Sequence, residues 1–359
     1  MRVRVYYHDD FKLHSPDPYS HPENPDRLER ALDGLSRGLE GVVEFREPAE
    51  GDPGVYTAVH SPSYLKSVLS MGVYGVEWID ADTYISPGTP KAVKRLAGAV
   101  KDAIGDALKG STALILGRPP GHHAGIAGRA LGAPTNGFCI VNTAALAAKI
   151  LYREAGEPVL MVDFDLHHGN GTQEIFWDDP NVIHVDIHQD PATIYPGVGF
   201  PEDIGSGDGR GSKINIVTPA YSGDDIYLHA LSIVEDILEE VKPQYIVVSA
   251  GFDAYRGDND FTVMNVGSRF YWEAGKLIAE KARGIVAVLE GGYGLGLERG
   301  LPAFVAGLAG VEDPLGDREF ASSGYAWKFY RRALERLEKA LESAGSPLAE
   351  AVKKALEGF

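Results

Sequence analysis

The chain has 359 residues, 44% of them hydrophobic and 24% charged, which suits a soluble globular protein of two average domains or one large α/β domain. Its net charge of −17 argues against a nucleic-acid partner, because phosphate binding needs Lys and Arg in excess. A single cysteine, Cys139, excludes an intramolecular disulfide and suits a reducing, cytoplasmic setting, and no apolar run reaches the ~18 residues of a membrane span.

Met1 to Asp10 reads as a short alternating strand without the apolar stretch of a signal peptide. A helical pattern over 91–108 precedes an apolar strand over 112–117, which runs into Arg118-Pro-Pro-Gly-His-His. A helix over 143–155 leads to a strand over 158–162 and the polar run Asp163-Phe-Asp-Leu-His-His-Gly-Asn-Gly. The strand over 181–185 runs into Asp186-Ile-His. After a helix over 224–241, the strand over 244–249 runs into Ala250-Gly-Phe-Asp. After a helix over 266–282, the strand over 284–289 runs into Glu290-Gly-Gly-Tyr. A charged amphipathic helix over 325–344 and a shorter one close the chain.

Short apolar runs alternating with helices predict an α/β fold with a mainly parallel sheet flanked by helices. With no repeat, low-complexity tract or linker, residues 1–359 read as one domain. Ligands in such folds bind outside the carboxyl ends of strands. The polar clusters sit there, so unrelated stretches are expected to converge on one site.

In extended backbone, residues two apart face the same way, so Asp163, Asp165 and His167 would share a face. Two carboxylates and an imidazole outline a metal site; a polar strand end capping the next helix is the plainer alternative. Asp253 adds a further donor, or else an N-cap. Three protein ligands and an open position describe catalytic zinc. Two aspartates formally neutralise Zn²⁺, so a separate base is expected to activate water. His122 and His123 supply one, with Asp163 and Asn170 as candidate partners for their second nitrogens. Tyr293, between glycines, suits a phenol donor aimed at a carbonyl oxygen, or a plain surface turn.

The ordered set Arg118-Pro-Pro-Gly-His-His-Ala, Gly137-Phe-Cys, Val162-Asp-Phe-Asp-Leu-His-His-Gly-Asn-Gly-Thr, Ser249-Ala-Gly-Phe-Asp-Ala and Leu289-Glu-Gly-Gly-Tyr resembles the histone deacetylase superfamily, in the style of its class II, acetylpolyamine amidohydrolase and prokaryotic branches. His21-Pro-Glu-Asn-Pro-Asp-Arg, Val59-His-Ser-Pro-Ser-Tyr-Leu and Asp82-Thr-Tyr-Ile-Ser-Pro-Gly-Thr extend the match over about residues 1–310. The resemblance implies an arginase-like α/β fold and zinc-dependent removal of acetyl groups from acetyl-lysine side chains or acetylpolyamines. It implies Asp165, His167 and Asp253 as zinc ligands, and His123 as the base that later protonates the leaving amine. His122 would be the electrostatic partner of His123, with Asp163 and Asn170 orienting the two rings and Tyr293 polarising the acetyl carbonyl. An amide at Asn170, where some relatives have Asp, should leave its imidazole less basic.

Phe138 and Tyr195 fall where relatives place the aromatic walls of a substrate tunnel, and the Gly137 carbonyl is a candidate acceptor for the leaving nitrogen. Asp260 falls where polyamine-selective relatives carry an acidic gatekeeper; a solvated loop aspartate is the plainer reading. Relatives also bind a potassium ion (K⁺) behind the zinc site, and here Asp186 would either strengthen that cation site or form a salt bridge. The segment Phe11 to Arg27 could wrap the entrance or pair with a neighbouring subunit as a homo-oligomer. A deacylase of another small metabolite, a non-catalytic acetyl-group reader and a ureohydrolase stand as alternatives. Present ligands and tyrosine oppose the reader; the His122-His123 pair opposes the ureohydrolase.

Overall fold

The protein is described by a computed structural model covering residues 2–260 and 262–359; Met1, which opens the expected N-terminal strand, lies outside the described residues. Eight parallel strands form the central sheet. In chain order these are β1 (Val3–Tyr6), β2 (Val43–Arg46), β3 (Thr112–Ile115), β4 (Val159–Asp163), β5 (Val182–Gln189), β6 (Lys213–Thr218), β7 (Tyr245–Ala250) and β8 (Gly284–Leu289). Across the sheet they run β6-β5-β4-β7-β8-β3-β1-β2. Apolar runs such as Tyr245-Ile-Val-Val-Ser-Ala250 are buried at every residue, as a sheet covered on both faces requires.

The helices are α1 (Asp26–Leu35), α2 (Pro62–Ser70), α3 (Thr89–Ala107), α4 (Thr143–Ala155), α5 (Asn170–Ile175), α6 (Asp224–Val241), α7 (Ser268–Lys281), α8 (Leu301–Ala309), α9 (Gly324–Ser343) and α10 (Ala349–Leu356). Local signals set their ends. Asn142 caps α4 by accepting from Ala145 N, and Gly156 ends it at φ 69°, a left-handed position that costs glycine little. Helices α3 and α4 pack together over β3, β7 and β8, while α6, α7 and α8 form a second packed series. Edge strand β2 is short, charged and partly exposed, which discourages edge pairing; the other edge, β6, is covered by α9.

Two expectations need correcting. The run after β4 is not extended: the strand ends at Asp163, whose Oδ1 accepts from Asp165 N, and Asp165 Oδ1 then accepts from His167 N. Carboxylates that bond the backbone two residues on bend the chain, so Asp163, Asp165 and His167 do not line one strand face. Nor does Asp186-Ile-His188 follow a strand end. It lies inside β5, which continues to Gln189 because the unforeseen β6 pairs with it that far.

Candidate metal centre and active site

Strands β4 and β7 are neighbours, yet β5 and β6 intervene in the chain and lie outward of β4. Where successive connections diverge in this way, the loops at the carboxyl ends leave a crevice. Asp165 and His167 follow β4 into it and Asp253 follows β7. His167 Nδ1 lies 3.2 Å from Asp165 Oδ1 and 2.9 Å from Asp253 Oδ2. Tetrahedral zinc with bonds near 2.0–2.1 Å sets its donors about 3.3 Å apart, which these two separations approach, and ligand atoms of all three residues lie within 4.8 Å of one another. Two further observations agree. Asp253 Oδ2 is buried, with the His167 ring as its polar neighbour, so a cation beside it would satisfy its remaining lone pairs. Burial pushes the His167 imidazole down, but Asp165 and Asp253 outweigh it and hold the group up at about 9; the pocket favours positive charge. The other carboxylate oxygens are fixed by backbone, Asp165 Oδ2 by Gly291 N at 2.7 Å and Asp253 Oδ1 by Leu166 N at 3.0 Å.

Beside this triangle stand His122 and His123, both buried, with ring centroids 4.0 Å apart. His122 Nδ1 pairs with Asp163 Oδ2 at 3.1 Å, and His123 Nδ1 with Asn170 Oδ1 at 2.7 Å. Asn170 is itself held through Nδ2 by Ala130 O. The different partners split the pair electrostatically. Burial disfavours the charged form of both, but the Asp165 and Asp163 carboxylates overcome it at His122 and hold that ring well above the ordinary histidine value. At His123 burial and the His122 and His167 charges outweigh the opposing effects of Asp165 and Asn170 and push the ring well below. The two adjacent rings are thus shifted in opposite directions, His122 toward the charged form and His123 toward the neutral one. Tyr293 joins from the loop after β8, and its ring lies 5.9 Å from that of Phe138.

Comparisons with known proteins identify the family. The histone deacetylase domain family matches residues 21–308. The chain belongs to the histone deacetylase family. A probable deacetylase of Methanothermobacter thermautotrophicus is 37% identical over 305 residues, 84% of this chain and 89% of that protein. The polyamine deacetylase HDAC10 of Homo sapiens is 33% identical over 317 residues, which is 82% of this chain but 46% of that protein. The crystal structure of the HDA15 HD domain superposes with a TM-score of 0.85 at 28% identity, covering 99% of this chain and 98% of that one. The arginase/deacetylase-like fold expected from the sequence is thus present, and membership supports an enzyme that hydrolyses acetyl–amide bonds.

Of the residues expected to line a tunnel, Gly137 and Tyr195 lie beside His123, and Phe138 lies against His21 and Tyr293. Tyr195 stands perpendicular to the His123 ring, centroids 4.9 Å apart, and its hydroxyl donates to Thr135 O at 2.9 Å, so the polar tip is tied to backbone. Gly137 has φ 54°, and a Cβ there would come within 2.7 Å of both His123 and Tyr195; only glycine lets the backbone approach so closely. Phe138, also at positive φ (69°), is held by a bond from its N–H to Thr83 Oγ1. Asp260 is exposed. Asp186 is paired with His188, Oδ1 lying 2.7 Å from His188 Nδ1, while Oδ2 accepts from Gly169 N at 2.8 Å.

Sequence reasoning missed the supports of the Tyr293 loop. Arg27 donates to Gly292 O at 2.7 Å and to Glu290 O, with its guanidinium 4.8 Å from the Tyr293 ring centroid. Glu23 pairs with both Arg27 and Arg118, all three buried. Glu290 Oε2 accepts from Gly121 N and His122 N. The matched run His21-Pro-Glu-Asn-Pro-Asp-Arg and Arg118 were the available signal, but nothing in them names partners so distant in the chain.

Proposed function

We propose that the chain is a zinc-dependent amidohydrolase that removes acetyl groups from acetyl-lysine side chains or acetylpolyamines. The observation that carries this reading is the cluster of Asp165, His167 and Asp253 set beside the buried pair His122 and His123, held by Asp163 and Asn170. Zinc held by that triangle supplies a Lewis acid that polarises a carbonyl and acidifies water.

The chain's own residues do the rest. Because Asn170 Oδ1 accepts from His123 Nδ1, the lone pair of His123 sits on Nε2, facing away from the amide. His123 takes a proton there as water attacks the acetyl carbon, and the Tyr293 phenol donates to the acyl oxygen as negative charge grows on it. The C–N bond breaks when His123 returns the proton to the departing nitrogen, giving acetate and a free amine. His122, paired with Asp163, keeps positive charge beside the reacting atoms. Phe138 and Tyr195 flank the methylene chain of the substrate, and the Gly137 carbonyl accepts from the leaving N–H. Two aspartate ligands leave little net charge to acidify water, which is why a histidine base is needed. Asp260 is proposed to meet a second ammonium group. A cytoplasmic setting belongs to this reading, resting on the single, buried Cys139; no described helix is long and apolar enough to cross a membrane.

Acetate release from N-acetylputrescine, acetylspermidine and an acetyl-lysine peptide, with metal-stripped and zinc-restored protein, tests the proposal. Zinc-dependent turnover is expected; stoichiometric zinc without turnover on any of the three would overturn it. Asp260→Ala should lose activity selectively on acetylspermidine, and equal losses on all substrates would remove the gatekeeper role.

A further inference from the structure

The turn that carries Tyr293 is Gly291-Gly-Tyr-Gly-Leu-Gly296, a composition that gives the backbone great freedom. In the structure it is nonetheless pinned. Asp258 Oδ2 accepts from Tyr293 N, and Asp258 Oδ1 accepts from both Gly294 N and Gly296 N, each at 2.8 Å. The carboxylate is 6% exposed. It takes up N–H groups belonging to no strand, and each bond is strengthened by its charge. Backbone also meets backbone here. A Cβ at Gly294 would lie 2.3 Å from Asp258 O, and one at Gly296 would lie 1.9 Å from Phe252 O. The glycines are thus what lets the turn dock on the 252–258 loop.

We infer that Asp258 is a positioning residue that holds the Tyr293 phenol in place, and does so from the same short loop that delivers the metal donor Asp253. Arg27 restrains the opposite side, over the ring and at Gly292 O. Asp258 also accepts from Asn259 Nδ2 at 3.0 Å, and its bonds to the turn are all to backbone N–H groups. The inference rests on the proposed role of Tyr293.

The test compares the zinc-loaded wild type with Asp258→Ala, Asp258→Asn, Tyr293→Phe and the double variant Tyr293→Phe/Asp258→Ala. The readouts are acetate release, zinc content and the Kd of a trifluoromethyl-ketone analogue of acetyl-lysine. Asp258→Ala should lower kcat about 10-fold or more with KM within about twofold and zinc unchanged, and weaken the analogue to a similar degree. Asp258→Asn, keeping one acceptor oxygen, should recover part of the loss. In the Tyr293→Phe background, Asp258→Ala should cost less than about twofold in analogue affinity, because residues acting as one unit are not additive.

An undiminished cost in that background, or loss of zinc, would overturn the inference while leaving the deacetylase reading intact. Wild-type inactivity, or a fully active Tyr293→Phe, would instead remove the reading beneath it. If Asp258→Ala does not fold, Asp258→Asn carries the same comparison in both backgrounds.

Discussion

His123 Nδ1 is paired with the amide oxygen of Asn170 rather than with a carboxylate, and that one choice sets the basicity of the proposed base. Burial and the adjoining His122 charge already hold His123 well below the ordinary histidine value. The base works when neutral, so activity is lost as pH falls through its pKa. Asn170→Asp would place a negative charge at Nδ1 and raise that pKa by about one unit or more. The acid limb of kcat/KM against pH should move to higher pH by that amount, while Asn170→Ala should not move it upward. A second buried arrangement governs stability. Glu23 lies between Arg118 and Arg27, and against the opposing effect of burial the Arg118 guanidinium and the His14 ring hold its carboxyl well below the usual range. Glu23→Gln leaves buried positive charge without its counter-ion, a change that costs roughly 3–5 kcal/mol; a urea midpoint unchanged from wild type would contradict this. The proposed donors Asp165, His167 and Asp253 could be singled out in the sequence because each adjoins a recognisable strand. Arg27 and Glu290 were not, since their contacts span 263 residues and no local pattern encodes them.

Among the elements, the strand ends do the work, and their glycines set how tightly they converge. A Cβ at Gly291 would lie 2.4 Å from Asp165 Oδ2 and 2.6 Å from Asp253 Oδ2, and Gly291 N also donates to Asp165. Gly291→Ala must therefore displace one or both of these carboxylates, the proposed metal donors, while leaving the strands themselves intact. Zinc affinity, read by competition with a chelator, should fall on the order of 10–100-fold, as for other losses of ligand support, with the circular dichroism spectrum retained. An unchanged affinity would mean that the donor oxygens do not need their present spacing. The same elements show why periodicity alone misplaced Asp165 and His167. Both were read as continuing the strand, but the carboxylates of Asp163 and Asp165 capture the N–H groups two residues on, competing with the ladder and ending β4 at Asp163. Strand β6 was invisible for a related reason. Its buried Lys213 and Asn215 interrupt the apolar run, and Lys213 is tolerated only because its ammonium reaches Asp179 O, Val182 O and Ser212 Oγ, with burial lowering it to about 7.

For the molecule as a whole, alternating apolar runs were enough to indicate a parallel α/β sheet, since strands covered on both faces must be apolar throughout. The strand order was not readable in this way, and it is the adjacency of β4 and β7 that brings Asp165 and His167 to Asp253. The global charge acts at longer range. With 51 acidic against 34 basic residues, a multiply charged cation approaches a molecule of opposite sign. Near Phe138 the acidic field is local as well: Asp80 accepts from Asn136 N and Asp82 from Thr135 Oγ1, one and two residues before Gly137. Long-range steering of this kind speeds encounter and is screened by salt. Raising ionic strength from about 0.02 to 0.3 M shortens the Debye length several-fold, so kcat/KM for acetylspermidine should fall about 3–10-fold. An uncharged N-alkylacetamide of similar length, which feels no such field, should change by less than about twofold over the same range. The effect belongs in kcat/KM and not in kcat, because steering acts before the complex forms. Equal responses from the two substrates would show that the charge serves only to keep the surface solvated, and selection between acetylpolyamine and acetyl-lysine would then rest on contacts at the tunnel mouth.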